Sequence, residues 1–333
     1  MRLVDAELTS LKKNRYICKL QRLFMEKTRC LILGGGPAGY TAAIYASRAG
    51  LLPILYEGPE PGGQLMTTTV IENFPGFENG IDATSLMDGM RKQAAAMGAD
   101  IRRGIATEAD LSKRPFHITV DSGDSIEAST LIIATGASAK YLGLPSETKF
   151  RGLGVSACAT CDGFFYRKKD VAVVGGGDTA CEEALYLSGL CRKVYMIVRR
   201  DVFRASQAMQ DKVLSRENIE VLWNCNTQEI LGDVSGVTGA RLLHKDGTVF
   251  DIAVDGFFLA IGHHPNSELF SRWIETNAEG YIITRGKTTE TSRQGVFAAG
   301  DVQDPLYRQA ITAAGSGCRA ARDAERFLIE NNE

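Results

Sequence analysis

No apolar run in this 333-residue sequence approaches the roughly 18 residues that would cross a bilayer, which excludes a membrane-spanning helix. Surplus positive charge is missing too. Against 38 Lys and Arg stand 40 Asp and Glu, a formal net charge of -2, whereas a nucleic-acid binder usually carries a basic excess. Residues 1–24 hold Lys12, Lys13, Arg15, Lys19 and Arg22 but lack the apolar core of a secretory signal. The 8 cysteines fall at irregular spacings in a long chain and so do not read as a disulfide framework. Together these absences point to a cytoplasmic location in a reducing compartment. What the sequence has is glycine, 35 residues, within a chain that is 44% hydrophobic and 23% charged, the composition of a soluble α/β enzyme. At roughly 150 residues per domain the length suggests two domains. Residues 1–24 read as an N-terminal extension ahead of Met25, expected to be disordered, with a targeting role as the weaker alternative.

The plan along the chain is duplicated. Cys30-Leu31-Ile32-Leu33 has the length of a strand and runs into Gly34-Gly35-Gly36-Pro37-Ala38-Gly39, then into a small-residue helix over Tyr40–Ala49. The same order of strand, glycine turn and helix returns at Val171–Val174, Gly175-Gly176-Gly177-Asp178-Thr179-Ala180 and the stretch through Glu182, Glu183, Ala184 and Leu187. The two starts lie 141 residues apart, Gly34 to Gly175. Each half closes on an apolar strand ending in small residues, Leu131–Ile133 with Ala134-Thr135-Gly136 and Phe258–Ala260 with Ile261-Gly262, which suits close approach of backbone to a ligand. A third strand of this kind, Gly295–Asp301, has no partner in the second half and is expected to return to the first domain.

The two turns have different tastes. Gly34, Gly36 and Gly39 permit a tight turn that seats a pyrophosphate on a helix N-terminus, with Pro37 and Ala38 opening that helix. Glu57 follows the strand Leu51–Tyr56, 23 residues after Gly34, where an acid accepts from ribose hydroxyls. At the second turn, carrying Gly175, Gly177, Asp178 and Thr179, the strand Val194–Val198 ends instead in Arg199-Arg200, with Arg204 nearby. Guanidinium forks match phosphate oxygens, so this site is expected to prefer the 2′-phosphate of NADPH over the bare ribose of NADH. Arginines that merely solvate a surface turn are the plainer alternative.

Between the halves stands Ser156-Ala157-Cys158-Ala159-Thr160-Cys161-Asp162-Gly163. A CxxC pair closes a small disulfide ring and lowers one thiol's pKa, as two-electron exchange requires. Zinc would need a second pair of ligands, and the nearest candidates, Cys181 with Cys191 and His263 with His264, have unsuitable spacings, so no metal is expected. Asp162, next to the second cysteine, is placed to handle the proton of thiolate chemistry, or is an ordinary turn residue. Cys18, Cys30, Cys181, Cys191, Cys225 and Cys318 lie within or beside apolar patterns and read as packing residues. A hydride carries two electrons in one step, so a flavin is needed to join nicotinamide to sulfur.

With the flanking motifs, Ser156–Phe165 resembles the bacterial-type, low-molecular-weight thioredoxin reductases, class II pyridine nucleotide-disulfide oxidoreductases. The likeness runs from about Thr28 to Phe327 and includes Gly62-Gly63-Gln64-Leu65, Glu72–Gly76, Arg199-Arg200-Asp201 and Gly300-Asp301-Val302 with Arg308-Gln309-Ala310. The resemblance implies an α/β fold of two Rossmann-like dinucleotide-binding domains, FAD and NADPH, the second inserted in the first. The expected bounds are 25–143 and 270–333 for FAD and 144–269 for NADPH and the CxxC. It implies that Gln64, Asn73, Asp301, Arg308, Gln309 and Ala310 contact FAD, with Gly63, Leu65 and Gly300 beside them. It also implies that Cys161 faces the flavin while Cys158 attacks the disulfide of thioredoxin, in a homodimer. Val198 stands where many relatives have histidine, and residues 1–24 have no counterpart. A reductase serving another redoxin, and a redox-sensing module that binds both cofactors without turnover, remain as rival readings.

Overall fold

Short runs of Val, Ile and Leu that stop at glycine suit strands buried on both faces of a parallel sheet, and the chain builds two such sheets. The structure, a computed structural model, describes residues 25–68 and 70–333; the extension expected over 1–24 lies outside the described residues. Among the described residues no helix is long and apolar enough to cross a membrane. The chain divides into two units, one holding residues up to Leu65, Ser85–Gly136 and Pro265–Glu333, the other Met66–Thr84 and Ala137–His264.

At the centre of the first unit, Glu26–Leu33 lies between Ile54–Tyr56 and Ser125–Ile133 and parallel to both. Asp100–Arg102 extends the sheet on one side, and Phe116–Val120 and Ala106–Asp110 continue it antiparallel on the other. Val296–Ala298 arrives from far along the sequence and pairs in parallel with Leu131–Ile133, making the sheet seven-stranded. One face is covered by the helices Pro37–Arg48 and Ala310–Glu330, whose alanines 42, 43, 46, 320, 321 and 324 are all buried and let backbone approach backbone. Phe270, Ile274 and Ile282 close the other face over Phe116 and Ile118. Each large apolar side chain so buried is worth about 1.5–3 kcal/mol.

The second unit carries a five-stranded sheet in the order Val155–Ser156, Gly256–Leu259, Asp170–Val174, Lys193–Val198, Ile219–Trp223, every pairing parallel. Helix Asp178–Ser188 packs on one face through Ala180, Cys181, Ala184 and Leu187. The other face is covered by an antiparallel sheet of Cys225–Asp233, Gly236–His244 and Val249–Ala253, whose Ile230, Ala240 and Leu242 meet Ala172, Ile197 and Phe257. The α/β class and the two parallel-stranded units agree with the sequence reading; the three-stranded cover was not foreseen.

Crossings between the units fall at 136–137 and 264–265, where the sequence reading put them at 143–144 and 269–270. Hydrogen bonds account for the difference. Thr135 Oγ1 donates to Asn266 O at 2.6 Å and Asn266 Nδ2 to Thr135 O at 2.9 Å, so Asn266 already belongs with the first unit. Residues 66–84, read as part of the first domain, group with the second, in which Thr68 Oγ1 donates to Asp162 Oδ1 at 3.5 Å. In both sheets the carboxyl ends of the parallel strands converge on the residues singled out above, which is where open α/β sheets hold ligands.

Candidate active site

In the first unit the strand Glu26–Leu33 ends at Gly34, whose φ of +118° and contact with Ala134 O exclude a side chain: an added Cβ would lie 2.1 Å from that oxygen. An added Cβ at Gly36 meets nothing within 4 Å, so the turn is tight beneath and open above. Gly36 is the N-cap of Pro37–Arg48 and no side chain caps that helix, which leaves backbone N–H groups to a ligand. Gly62 N donates to Gly35 O at 2.9 Å and brings Gly63, Gln64 and Leu65 to the turn. Glu57, 3% exposed, ends the neighbouring strand. Thr135 and Gly136 follow Ser125–Ile133, and Gly300 and Asp301 follow Val296–Ala298. Gly300 N donates to Ser316 Oγ at 2.8 Å, and a Cβ on Gly300 would stand 3.0 Å from that of Ala38. Gln309 and Ala310 open the helix Ala310–Glu330, while Arg308, at a φ of 48°, turns its guanidinium to Pro305 O at 2.8 Å. Asn73 groups with the second unit.

The second turn repeats the design. Gly175 has a φ of +147° and a Cβ there would sit 2.4 Å from Ala260 O, while one on Gly177, the uncapped start of Asp178–Ser188, meets nothing within 4 Å. Ile261 and Gly262 follow the adjacent strand Gly256–Leu259. Arg199, Arg200 and Arg204 are exposed on the loop after Lys193–Val198. That loop is pinned to the turn: Arg204 N and Ala205 N donate to Gly176 O at 2.6 and 3.2 Å, and Ser206 donates to Asp178 Oδ1 through N at 2.9 Å and Oγ at 2.8 Å. Thr179 lies one residue further on that helix. An open helix N-terminus beside exposed guanidinium groups fits a phosphorylated dinucleotide.

Cys158 and Cys161 form a disulfide, with their Cα atoms 5.3 Å apart, at the end of edge strand Val155–Ser156. The short helix Ala159–Asp162 rests on Asp178–Ser188: Ala159 is fully buried among Cys181, Ala184 and Leu187, and a Cβ on Gly163 would come within 2.8 Å of Leu187. The short helix that bears the disulfide therefore packs on the helix whose N-terminus is the second glycine turn. Cys161 N donates to Cys158 Sγ at 3.2 Å and Thr160 Oγ1 lies 3.4 Å from it, donors that would stabilise a thiolate on Cys158 after reduction. Burial pushes the Asp162 carboxyl above its ordinary pKa, against the hydrogen bonds of Ser156 and Thr68. A carboxyl raised in this way beside sulfur suits a general acid. Among the described residues no group of three or more His, Cys, Asp and Glu could hold a metal, and Cys30, Cys181, Cys191 and Cys225 are buried free thiols.

The sequence profile of the pyridine nucleotide-disulphide oxidoreductases matches residues 28–317. The chain belongs to this family of oxidoreductases. A thioredoxin reductase from Coxiella burnetii is 51% identical over 311 residues, 91% of this chain and 97% of that one. A Pseudomonas fluorescens protein named glucosaminate ammonia-lyase is also 51% identical, over 308 residues, 90% and 96% of the two chains. The solved thioredoxin reductase from Giardia duodenalis superposes with a TM-score of 0.88 at 44% identity, covering 92% of this chain and all of that one.

Several site residues of this oxidoreductase escaped sequence reasoning. Tyr40 and Arg91 bond Glu57 and Ser206 bonds Asp178 from outside the recognised motifs, while Thr160, inside the CxxC segment but given no role there, reaches Cys158. Asp301 holds a further surprise. Burial first, then the Asp304 charge, push its pKa from 3.8 to about 7, opposed by Arg308. A carboxyl raised on folding holds its proton more tightly in the native state, so it favours folding below pH 3.8 and loses that contribution as pH climbs to about 7. Chemical denaturation of the flavin-free protein should accordingly show Asp301→Asn gaining on wild type by a few kcal/mol between about pH 4 and pH 7. A constant difference over that range contradicts the assignment.

Proposed function

We propose that the protein is an NADPH-dependent, FAD-containing reductase of thioredoxin. The observation that carries this reading is the Cys158–Cys161 disulfide on a short helix packed against the one that begins at an arginine-flanked glycine turn, with the pKa-raised Asp162 in the same short helix. Glucosaminate breakdown, suggested by the name of one relative, needs neither a CxxC disulfide nor two dinucleotide turns.

FAD is assigned to the first unit. There the Gly34–Gly39 turn would take its pyrophosphate, Glu57 the ribose, and Gly63, Gln64, Leu65, Thr135, Gly136, Gly300, Asp301, Arg308, Gln309 and Ala310 the remainder; Asn73 is assigned to FAD by the family resemblance alone. NADPH is assigned to Gly175, Gly177, Asp178, Thr179, Ile261 and Gly262, and its 2′-phosphate to Arg199, Arg200 and Arg204. When bound, the flavin supplies the means of converting a hydride into a pair of electrons for a disulfide. The protein's own sulfurs then act by thiol-disulfide exchange. The Cys158 thiolate attacks the thioredoxin disulfide, one partner sulfur leaves as thiolate, and Cys161 displaces the other to restore the Cys158–Cys161 bond. Asp162 delivers the proton that a departing thiolate takes up. A homodimer and a cytoplasmic location complete the reading.

The experiment is a coupled assay. Protein, NADPH and oxidised thioredoxin should consume NADPH in proportion to the thiols formed, and glucosaminate should release no ammonia. Ammonia release without thiol formation would overturn the proposal; thiol formation with another redoxin but not thioredoxin would reassign the acceptor.

A further inference from the structure

Glu57 is 3% exposed, and a carboxyl group so deep needs hydrogen-bond partners in place of the water it has lost, best of all a cationic one. Two side chains outside the glycine motif supply them. From the helix Pro37–Arg48, Tyr40, 1% exposed, donates its hydroxyl to Glu57 Oε1 at 2.6 Å. From the helix Ala83–Ala96, Arg91 donates Nε to the same oxygen at 2.7 Å. The backbone of Glu57 is fixed as well, its N–H donating to Arg102 O at 3.0 Å and its carbonyl accepting from Gly35 N at 2.9 Å. The acid is thereby locked against the first glycine turn, and both side-chain bonds end on one of its two oxygens.

We propose that Tyr40 and Arg91 are positioning residues of the first nucleotide site. By occupying Oε1 they hold the rotamer of Glu57 and turn Oε2 to the ribose hydroxyls of the adenosine half of FAD. Neither touches the cofactor; both act through Glu57. The assignment rests on the FAD reading of this turn, and it predicts a loss confined to the adenosine end of the ligand.

Flavin-stripped full-length protein is titrated with FAD and, separately, with FMN, which has the same ring system but no adenosine, and binding is followed by flavin fluorescence. Tyr40→Phe should weaken FAD about tenfold, and Arg91→Gln by roughly tenfold to a hundredfold, with FMN affinity unchanged in both. Arg91→Lys should restore only part of the loss, since an ammonium lacks the guanidinium fork. In a Glu57→Ala background, Tyr40→Phe should cost nothing further, because the group it positions is gone. Parallel weakening of FAD and FMN, or an additive Tyr40→Phe loss in the Glu57→Ala background, marks a merely structural role and overturns the proposal. Wild-type FAD affinity in Tyr40→Phe and Arg91→Gln, beside a loss in Glu57→Ala, also overturns it but leaves the FAD reading standing. Wild-type affinity in Glu57→Ala itself removes the ribose role of the acid and the proposal together.

Discussion

Replacing Cys161 with serine leaves NADPH able to bleach the flavin while steady-state reduction of thioredoxin falls by at least roughly a thousandfold. The loss is this large because the two sulfurs act as a unit. Cys158 alone can attack a partner disulfide, but the mixed disulfide then has no neighbouring thiol to resolve it. The Cys161→Ser protein should therefore accumulate a covalent adduct with thioredoxin through Cys158, which non-reducing electrophoresis detects. Cys158→Ser should be equally inactive yet form no such adduct at that position. The hydrogen bond from Cys161 N–H and the nearby Thr160 hydroxyl favour Cys158 as the sulfur that carries negative charge, consistent with this division of labour. Turnover retained in Cys161→Ser would remove the dithiol from the reaction, and an adduct formed by Cys158→Ser instead would reverse the two roles.

Changing Arg199 and Arg200 together to alanine should raise KM for NADPH by on the order of a hundredfold or more and leave KM for NADH nearly unchanged. Hydrogen bonds to charged groups contribute roughly 1.5–3 kcal/mol each, about one to two powers of ten in affinity apiece. NADH lacks the 2′-phosphate and has nothing to lose. The loop that carries these arginines is tied to the turn by Gly176 O and Asp178, so removing the guanidinium groups should leave its path intact. Equal increases for both nucleotides would mean that the arginines hold the pyrophosphate or the loop and not the 2′-phosphate.

The parts of this molecule that could be read from sequence are those where local chemistry admits few alternatives. Gly34 and Gly175 mark their turns because a positive φ and a backbone oxygen within 2.1 or 2.4 Å of any Cβ leave no other residue possible. Strand Val296–Ala298 was traceable to the first unit because its glycine ending repeated the pattern of the other strands while the second half offered it no partner. The antiparallel cover over 225–253 was not seen, since its strands bury one face only and mix that alternation with register shifts near Thr227 and Leu231. The crossings at 136–137 and 264–265 depend on Thr135 and Asn266 finding each other across 131 positions of sequence, which no local pattern encodes. Arg91 was invisible for the same reason: it meets Glu57 only because a helix packs beside a strand end, and no spacing rule joins them. The same holds for the raised pKa of Asp301, a consequence of burial that the order of residues does not encode.

Electrons from a reduced pyridine nucleotide should reach the sulfurs of residues 158 and 161. Under anaerobic conditions, the flavin-loaded protein is mixed with NADPH, quenched with an alkylating reagent, and the peptide bearing both cysteines is weighed by mass spectrometry. That peptide should carry no label before NADPH is added and two labels afterwards, with Cys30, Cys181, Cys191 and Cys225 unlabelled in the folded protein throughout. An intact Cys158–Cys161 disulfide after the flavin has been fully reduced would contradict this expectation.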